Sequence, residues 1–161
     1  MSDAAAPTNT GPAKEGSPAP AFTVASPTGP VSLADYQGKW VVLYFYPADD
    51  TTGCTAEACS FRDAYQDFTD AGAVVIGVSG DSAESHEKFS AKHNLPFTLL
   101  TDADKSLAKT YGVKKSLGIL PGRVTYVIDP DGIVRKIFNS QMRFAKHQEE
   151  ALATIRGGVP A

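Results

Sequence analysis

The sequence is poor in cysteine, in runs of basic residues and in long apolar stretches. Two cysteines in 161 residues are far too few for a secreted scaffold held by disulfides. Lys and Arg number 15 against 18 Asp and Glu, a net charge of -3. Neither nucleic acid nor an anionic membrane is therefore an expected partner. The longest apolar stretches, such as 40–45 and 73–78, are much shorter than a membrane span.

Large apolar side chains are nearly missing from the first twenty residues, which are rich in Ala, Pro, Gly and Ser. Such a segment cannot bury enough surface to offset its ordering entropy, so residues 1–19 are predicted to be a flexible tail. The segment lacks the apolar region of a secretory signal and the arginines of a transit peptide. We expect an intracellular protein, cytoplasmic in the first instance, with the plastid stroma as the alternative for a processed or plastid-targeted form. The folded domain is predicted over 20–157, with a frayed end at 158–161.

The rest of the chain has the composition of one globular domain, with 42% hydrophobic and 20% charged residues. Apolar runs and turn residues predict strands and helices in alternation. In chain order, they are a hairpin of 22–24 and 31–33, strand 40–46, helix 55–70, strand 73–79, helix 82–93, strand 97–100, helix 105–111, strands 123–128 and 133–138, and helix 145–156. This order predicts an α/β thioredoxin-like fold, with a central mixed sheet flanked by helices and an N-terminal β-hairpin.

Chemistry is concentrated where the first long strand gives way to a helix. Cys54 falls at the predicted helix start, where unpaired backbone N–H groups and the positive end of the helix dipole favour a thiolate. The thiolate, and not the thiol, is the nucleophile. Thr51 lies three residues earlier, and its hydroxyl could donate to the sulfur or to a bound peroxide oxygen. Cys54 is therefore the candidate nucleophile.

Three carboxylates near Cys54 in sequence oppose this thiolate: Asp49, Asp50 and Glu57. A cation from elsewhere in the chain should offset them, and we expect it to be Arg123. On its own, an arginine at the start of an apolar strand more often makes a surface or structural ion pair. Arg62 is predicted to form a salt bridge with Glu57 or with a neighbour such as Asp63.

The five-residue spacing of Cys54 and Cys59 bears on their possible disulfide. On an ideal helix, this spacing gives a rise of roughly 7.5 Å and a Cα separation of roughly 8.6 Å. A disulfide cannot span more than about 7 Å between Cα atoms without backbone movement. If both cysteines are helical, a bond between them requires the first turns to unwind, which favours a transient disulfide over a structural one.

These residues resemble a known family. Pro47, Thr51 and Cys54 fit the P-x-x-x-T-x-x-C motif of the peroxiredoxins, and Cys59 five residues later is the mark of the Q-type group, also called bacterioferritin comigratory proteins. The resemblance extends over roughly residues 16–156. Further matching segments are 44–47, 54–55, 61–63, 95–100 and 120–123. Thr52 departs from the pattern, since the family usually has proline there, and it predicts a softer loop.

The resemblance implies that Cys54 is the peroxidatic cysteine and Cys59 the resolving one. Thr51 and Arg123 would orient and polarise the peroxide, and Pro47 would shield the sulfur from water. It further implies reduction of hydrogen peroxide and organic hydroperoxides, recycling by thioredoxin or a related dithiol protein, a monomeric state, and no cofactor or metal.

Other interpretations of the same residues stay open. The cysteines could be small buried hydrophobes of a redox-inert binding module. A general thiol–disulfide oxidoreductase is a second alternative, although it would normally carry C-x-x-C. A zinc site would need more ligands nearby. His86, His93 and His147 lie far from the cysteines in sequence and are predicted to be surface residues on polar helix faces.

Overall fold

The computed structural model describes residues 12–113, 123–140 and 143–157. The strands are β1 Thr23–Val24, β2 Val31–Ser32, β3 Trp40–Phe45, β4 Ala73–Ser79, β5 Thr98–Thr101, β6 Val124–Ile128 and β7 Val134–Asn139. The helices are α1 Thr52–Asp63, α2 Tyr65–Asp70, α3 Ala83–His93, α4 Ser106–Tyr111 and α5 Phe144–Arg156, with a 3₁₀ turn at Leu33–Tyr36. Within the described part of the chain, no helix is long and apolar enough to cross a membrane.

The main sheet has five strands in the order β5-β4-β3-β6-β7. The strands β5, β4 and β3 run parallel to one another. The strand β6 pairs antiparallel with β3, and β7 pairs antiparallel with β6, so the sheet is mixed as predicted. Leu43 at its centre pairs with Ile76 on one side and Tyr126 on the other. The predicted hairpin forms a separate pair, in which Thr23 faces Ser32. The predicted fold class is confirmed.

The central strand β3 is buried on both faces, because its side chains alternate between two apolar cores. Val42 and Tyr44 point into the core that lies under α1, α2 and α5. Val41, Leu43 and Phe45 point into the opposite core, which α4 covers. This double cover explains the continuous apolar run in the sequence, and it fixes the carboxyl end of β3, where the reactive loop begins.

The helix predicted over 55–70 is wrong in two respects. Its first part begins earlier, at Thr52, because Thr51 in extended conformation caps it and accepts a hydrogen bond from the backbone N–H of Cys54. The helix is also interrupted at Ala64, whose ψ of 5° breaks the helical path before α2 begins. Phe61 and Phe68 are nevertheless fully buried, as expected for core residues.

The part of the predicted tail closest to the domain is not a tail. Gly16 N–H donates to Val134 O at 2.7 Å, and Val134 N–H donates to Ser17 O at 2.9 Å. Pro18 forms a β-bridge with Ile133, and Ala19 is buried. Backbone pairing with a sheet edge needs no large side chain. The amino-acid composition of residues 16–19 therefore wrongly predicted that they belong to a flexible tail. Residues 1–11 and the predicted frayed end at 158–161 lie outside the described residues.

Candidate active site

The site is built where β3, α1 and β6 meet at the carboxyl end of β3. Cys54 lies in the first turn of α1 and is 2% exposed. Thr51 Oγ1 accepts from Cys54 N at 3.4 Å and donates to Ala48 O at 3.3 Å, so one hydroxyl holds the loop and the helix start together. Pro47 is half-buried in the loop that leads to Thr51.

Cys59 lies in the same helix as Cys54 and is half-buried, and both thiols are free. The two residues are therefore both helical, as the argument from spacing assumed. At helical spacing their Cα atoms lie beyond the reach of a disulfide. A bond between them requires part of α1 to unwind.

Arg123 reaches the site from the start of β6, and 4% of it is exposed. Its Nη1 donates to Glu57 Oε1 at 2.7 Å. Burial by itself lowers the pKa of the guanidinium, but the negative charges of Glu57 and Cys54 outweigh it and raise that pKa. Arg123 is therefore a cation beside both acids, in the position that the opposing carboxylates predicted.

Glu57 is fully buried one turn after Cys54. Burial in apolar surroundings raises the pKa of this carboxyl from 4.5 to about 8, although Arg123 acts in the opposite direction. Its second oxygen, Oε2, has no hydrogen-bond partner among the described residues. Of the two partners predicted for Arg62, Asp63 is confirmed at 3.0 Å, whereas Glu57 pairs with Arg123; Arg62 also donates to His93 O at 2.9 Å.

His147 on α5 closes the site behind Glu57. Its Nδ1 lies 3.5 Å from Glu57 Oε2 and 2.7 Å from Thr125 Oγ1, while Nε2 lies 2.7 Å from Ser140 O. Burial lowers the pKa of His147 to about 4, so the ring is neutral. A carbonyl only accepts, so Nε2 carries the proton and Nδ1 is the acceptor.

Phe144, the first residue of α5, covers the start of α1. Its ring centroid lies 4.9 Å from Arg123 Cζ. A Cβ added to Gly53 would lie 2.6 Å from Phe144 Cε1 and 3.2 Å from Arg123 Nη2. Only glycine therefore fits at position 53 with the ring in this place.

The other two carboxylates that sequence placed near Cys54 are engaged elsewhere. Asp49 accepts from Tyr46 Oη at 2.6 Å, Ser85 Oγ at 2.8 Å and His86 Nδ1 at 2.7 Å. Asp50 lies at the surface and binds Lys92 Nζ at 2.9 Å. Of the three expected opponents of the thiolate, only Glu57 shares a cation with Cys54.

The predicted surface position of the histidines is wrong. His86 and His147 are fully buried, and the side chain of His93 is 18% exposed. A signal was present for two of them. His147 lies four residues before buried Ala151, and His86 lies three residues before buried Phe89, so each is on the inner face of its helix. Sequence analysis also missed Phe144, which gave no local signal.

One group has the composition of a metal site. Asp49, Asp81 and His86 bring one ligand atom each within 4.8 Å of one another, and no other such group occurs in the described segments. These atoms already bind protein donors: Asp81 Oδ2 accepts from Asp49 N and from Ser79 Oγ, each at 2.7 Å. We interpret the group as a hydrogen-bond network that anchors the loop.

Known proteins resemble this chain over most of its length. The AhpC/TSA family matches residues 16–137. The chloroplastic peroxiredoxin Q of Sedum lineare is 51% identical over 144 residues, which cover 88% of this chain and 77% of that protein. The corresponding protein of Arabidopsis thaliana is 51% identical over 144 residues, 88% of this chain and 67% of its own length.

Solved structures agree with these sequence matches. Peroxidoxin BcpB of Mycobacterium tuberculosis superposes with a TM-score of 0.84 at 37% identity, covering 92% of this chain and 99% of that one. Peroxiredoxin Q of Xanthomonas campestris gives 0.79 at 31% identity, covering 85% and 90%. The chain therefore belongs to the AhpC/TSA family and, within it, to the peroxiredoxin Q group.

Proposed function

We propose that this protein reduces hydrogen peroxide and organic hydroperoxides through Cys54 and uses Cys59 to resolve the intermediate. The observation that carries the proposal is the placement of a buried cysteine at a helix N-terminus beside a buried arginine. Both the helix dipole and the guanidinium stabilise a thiolate. Membership of the peroxiredoxin Q group supports peroxide as the substrate and a thioredoxin-type reductant.

The reaction proceeds through an oxidised sulfur. Cys54 Sγ attacks the distal oxygen of the peroxide, the S–O bond forms as the O–O bond breaks, and water or an alcohol leaves. Arg123 and Thr51 hold the peroxide, and Pro47 limits access of water to the sulfur. The Cys54 sulfenic acid then condenses with the Cys59 thiol, which releases water and gives the disulfide. Thioredoxin or a related dithiol protein reduces this disulfide by exchange.

The primary test is peroxide consumption with thioredoxin, thioredoxin reductase and NADPH. Cys54→Ser should abolish turnover. Cys59→Ser should consume one equivalent of peroxide and then stall as a sulfenic acid that a dimedone probe traps. Full turnover by Cys54→Ser would contradict the assignment of the nucleophile, and full turnover by Cys59→Ser would contradict that of the resolving cysteine.

The disulfide step has its own structural signature. Since both cysteines lie in α1, oxidation should melt the start of this helix. Amide hydrogen exchange over residues 52–62 should speed up in the disulfide form, whereas β3 should stay protected. Equally slow exchange in both redox states would mean that the disulfide fits the folded helix.

Oligomeric state and compartment belong to the same proposal. The group resemblance favours a monomer, which gel filtration of the reduced and oxidised protein checks. The sequence favours the cytoplasm, and the chloroplastic names of the plant relatives make the plastid stroma the alternative. Fractionation of the source cells distinguishes the two.

A further inference from the structure

Two buried acids and one buried cation meet at the centre of this site. Cys54 and Glu57 lie one helical turn apart on α1, and both act on Arg123. Glu57 is 0%, Cys54 2% and Arg123 4% exposed, so water screens their charges little. With both acids ionised, the cluster would hold a net negative charge in the protein interior, which is strongly unfavourable.

Among the described residues, the surroundings of Glu57 supply no second cation. Facing it are Cys54 on its own helix, Tyr44 on β3, Arg123 at the start of β6 and His147 on α5. His147 is neutral. Burial, together with the nearby acids, raises the pKa of the Tyr44 phenol well above its ordinary value, so Tyr44 stays protonated. Within the described residues, Arg123 alone forms a charged pair with Glu57.

The two oxygens of Glu57 have different environments. Oε1 accepts a hydrogen bond from Arg123 Nη1 at 2.7 Å. Oε2 accepts none from the described part of the chain, and it lies 3.5 Å from Nδ1 of neutral His147. The single lone pair of Nδ1 already accepts from Thr125 Oγ1 at 2.7 Å, so His147 gives Oε2 no donor. An ionised oxygen buried without a donor is unfavourable, and a proton on Oε2 removes that cost.

We propose that Glu57 and Cys54 share the single positive charge of Arg123, so that Glu57 carries a proton while Cys54 is a thiolate and ionises once Cys54 is oxidised. This inference rests on the proposed function of Cys54. Glu57 is a positioning residue in this scheme, because it acts on the sulfur through Arg123.

The charge balance of the first reaction step follows from this arrangement. When the sulfur attacks the peroxide, it loses two electrons and its negative charge, and the leaving oxygen takes up one proton. Glu57 then releases one proton and pairs with Arg123 as a carboxylate. The buried cluster is neutral before and after the step, and one proton is taken up for each one released.

The direct test compares the pH dependence of Cys54 alkylation by iodoacetamide in the wild type and in Glu57→Gln. Glutamine keeps an acceptor for Arg123 and has an N–H on the side of His147. Because it is uncharged, it cannot compete with Cys54 for the positive charge of Arg123. Below the midpoint of the profile, Glu57→Gln should react at least roughly threefold faster, a shift of about half a pH unit to lower pH. Asp50→Asn, which removes a nearby exposed carboxylate, should leave the profile in place. A profile for Glu57→Gln that is unmoved or shifted to higher pH would overturn the inference.

A second measurement does not depend on reactivity. The side-chain carboxyl ¹³C shift of Glu57 should titrate at lower pH in Cys54→Ser than in the reduced wild type, because serine cannot compete for Arg123. Identical titrations in the two proteins would contradict charge sharing. Peroxide turnover by the wild type with thioredoxin, measured in parallel, keeps this outcome distinct from a failure of the proposed function.

Discussion

Two buried carboxylate–histidine pairs flank the reactive loop, and they differ in how completely they are satisfied. Asp49 has donors on both oxygens, from Tyr46, Ser85 and His86. Burial by itself raises the pKa of Asp49, but the hydrogen bonds from His86 and Tyr46 outweigh it and lower that pKa. Glu57 has a donor on one oxygen only, and its pKa is raised to about 8.

The histidines of the two pairs differ in the same way. Both ring nitrogens of His86 lie within hydrogen-bond distance of an acceptor, Asp49 Oδ2 at 2.7 Å and Leu100 O at 2.9 Å. His147 has one acceptor, Ser140 O, and its other nitrogen accepts from Thr125. In the first pair, both carboxylate oxygens accept hydrogen bonds, whereas in the second pair one carboxylate oxygen has no donor among the described residues. In the proposed scheme, the carboxylate with the unsatisfied oxygen is the one whose protonation changes during the reaction.

The largest expected difference between the two pairs is in the free energy of unfolding that is lost when the carboxylate is replaced by its amide. Asp49→Asn removes a buried carboxylate that accepts from Tyr46, Ser85 and His86, and we expect it to lower the free energy of unfolding by about 3–5 kcal/mol. Glu57→Gln replaces a group that is already neutral, so its cost should stay within about 1 kcal/mol. Urea denaturation of the reduced proteins at neutral pH measures both values. Equal costs would remove the distinction between the pairs.

The packing of Phe144 on Gly53 should give the next largest effect. In Gly53→Ala, the new Cβ meets the ring at 2.6 Å, and we expect a cost of about 1–3 kcal/mol from overpacking. Phe144→Ala removes the obstacle, so the double variant should be more stable than the sum of the two single changes predicts. A double-mutant cycle in urea measures this coupling. Additive changes would show that the ring moves aside freely.

The pH dependence of α1 opening tests whether Glu57 is protonated in the folded helix at neutral pH. Folding raises the pKa of Glu57 from 4.5 to about 8. The folded helix therefore binds the proton more tightly than the opened one, and the free energy of opening is largest below 4.5 and falls as pH rises through about 8. Amide exchange over residues 52–62, corrected for intrinsic rates, should show this fall in the wild type. The fall should be much smaller in Glu57→Gln, and a fall of equal size there would assign it to another group.

The smallest expected effect concerns Thr52, the first residue of α1, which is exposed. Proline is well suited to the first helical position and restricts the opened chain. Thr52→Pro should therefore slow disulfide formation roughly two- to fivefold and leave the first attack on peroxide nearly unchanged. Stopped-flow measurement of both steps checks this, with Thr52→Ala as the control. Slowing of the attack itself would show that the change reshapes the pocket.

Local patterns in the sequence determined much of this protein. The buried run 40–46 predicted the central strand, and the strand, loop and helix in succession predicted that Cys54 lies at a helix start. These features depend on neighbours within a few residues, because helix capping, strand burial and helical spacing act over that range. The motif also carried the family resemblance, and the structure places Arg123, the cation expected from the sequence, beside Cys54 and Glu57.

The carboxylate that meets this cation could not be identified from local sequence, because long-range packing selects it. Glu57 and Arg123 are 66 residues apart, and the sheet order that brings β6 beside β3 joins them. The same packing buries His147 behind Glu57 and turns Asp49 away towards His86. Burial and charge pairing depend on what lies across the core, and neither periodicity nor local spacing encodes the partner. The position of the reactive cysteine thus depends on its own helix, while the charged groups around it are brought together by the fold.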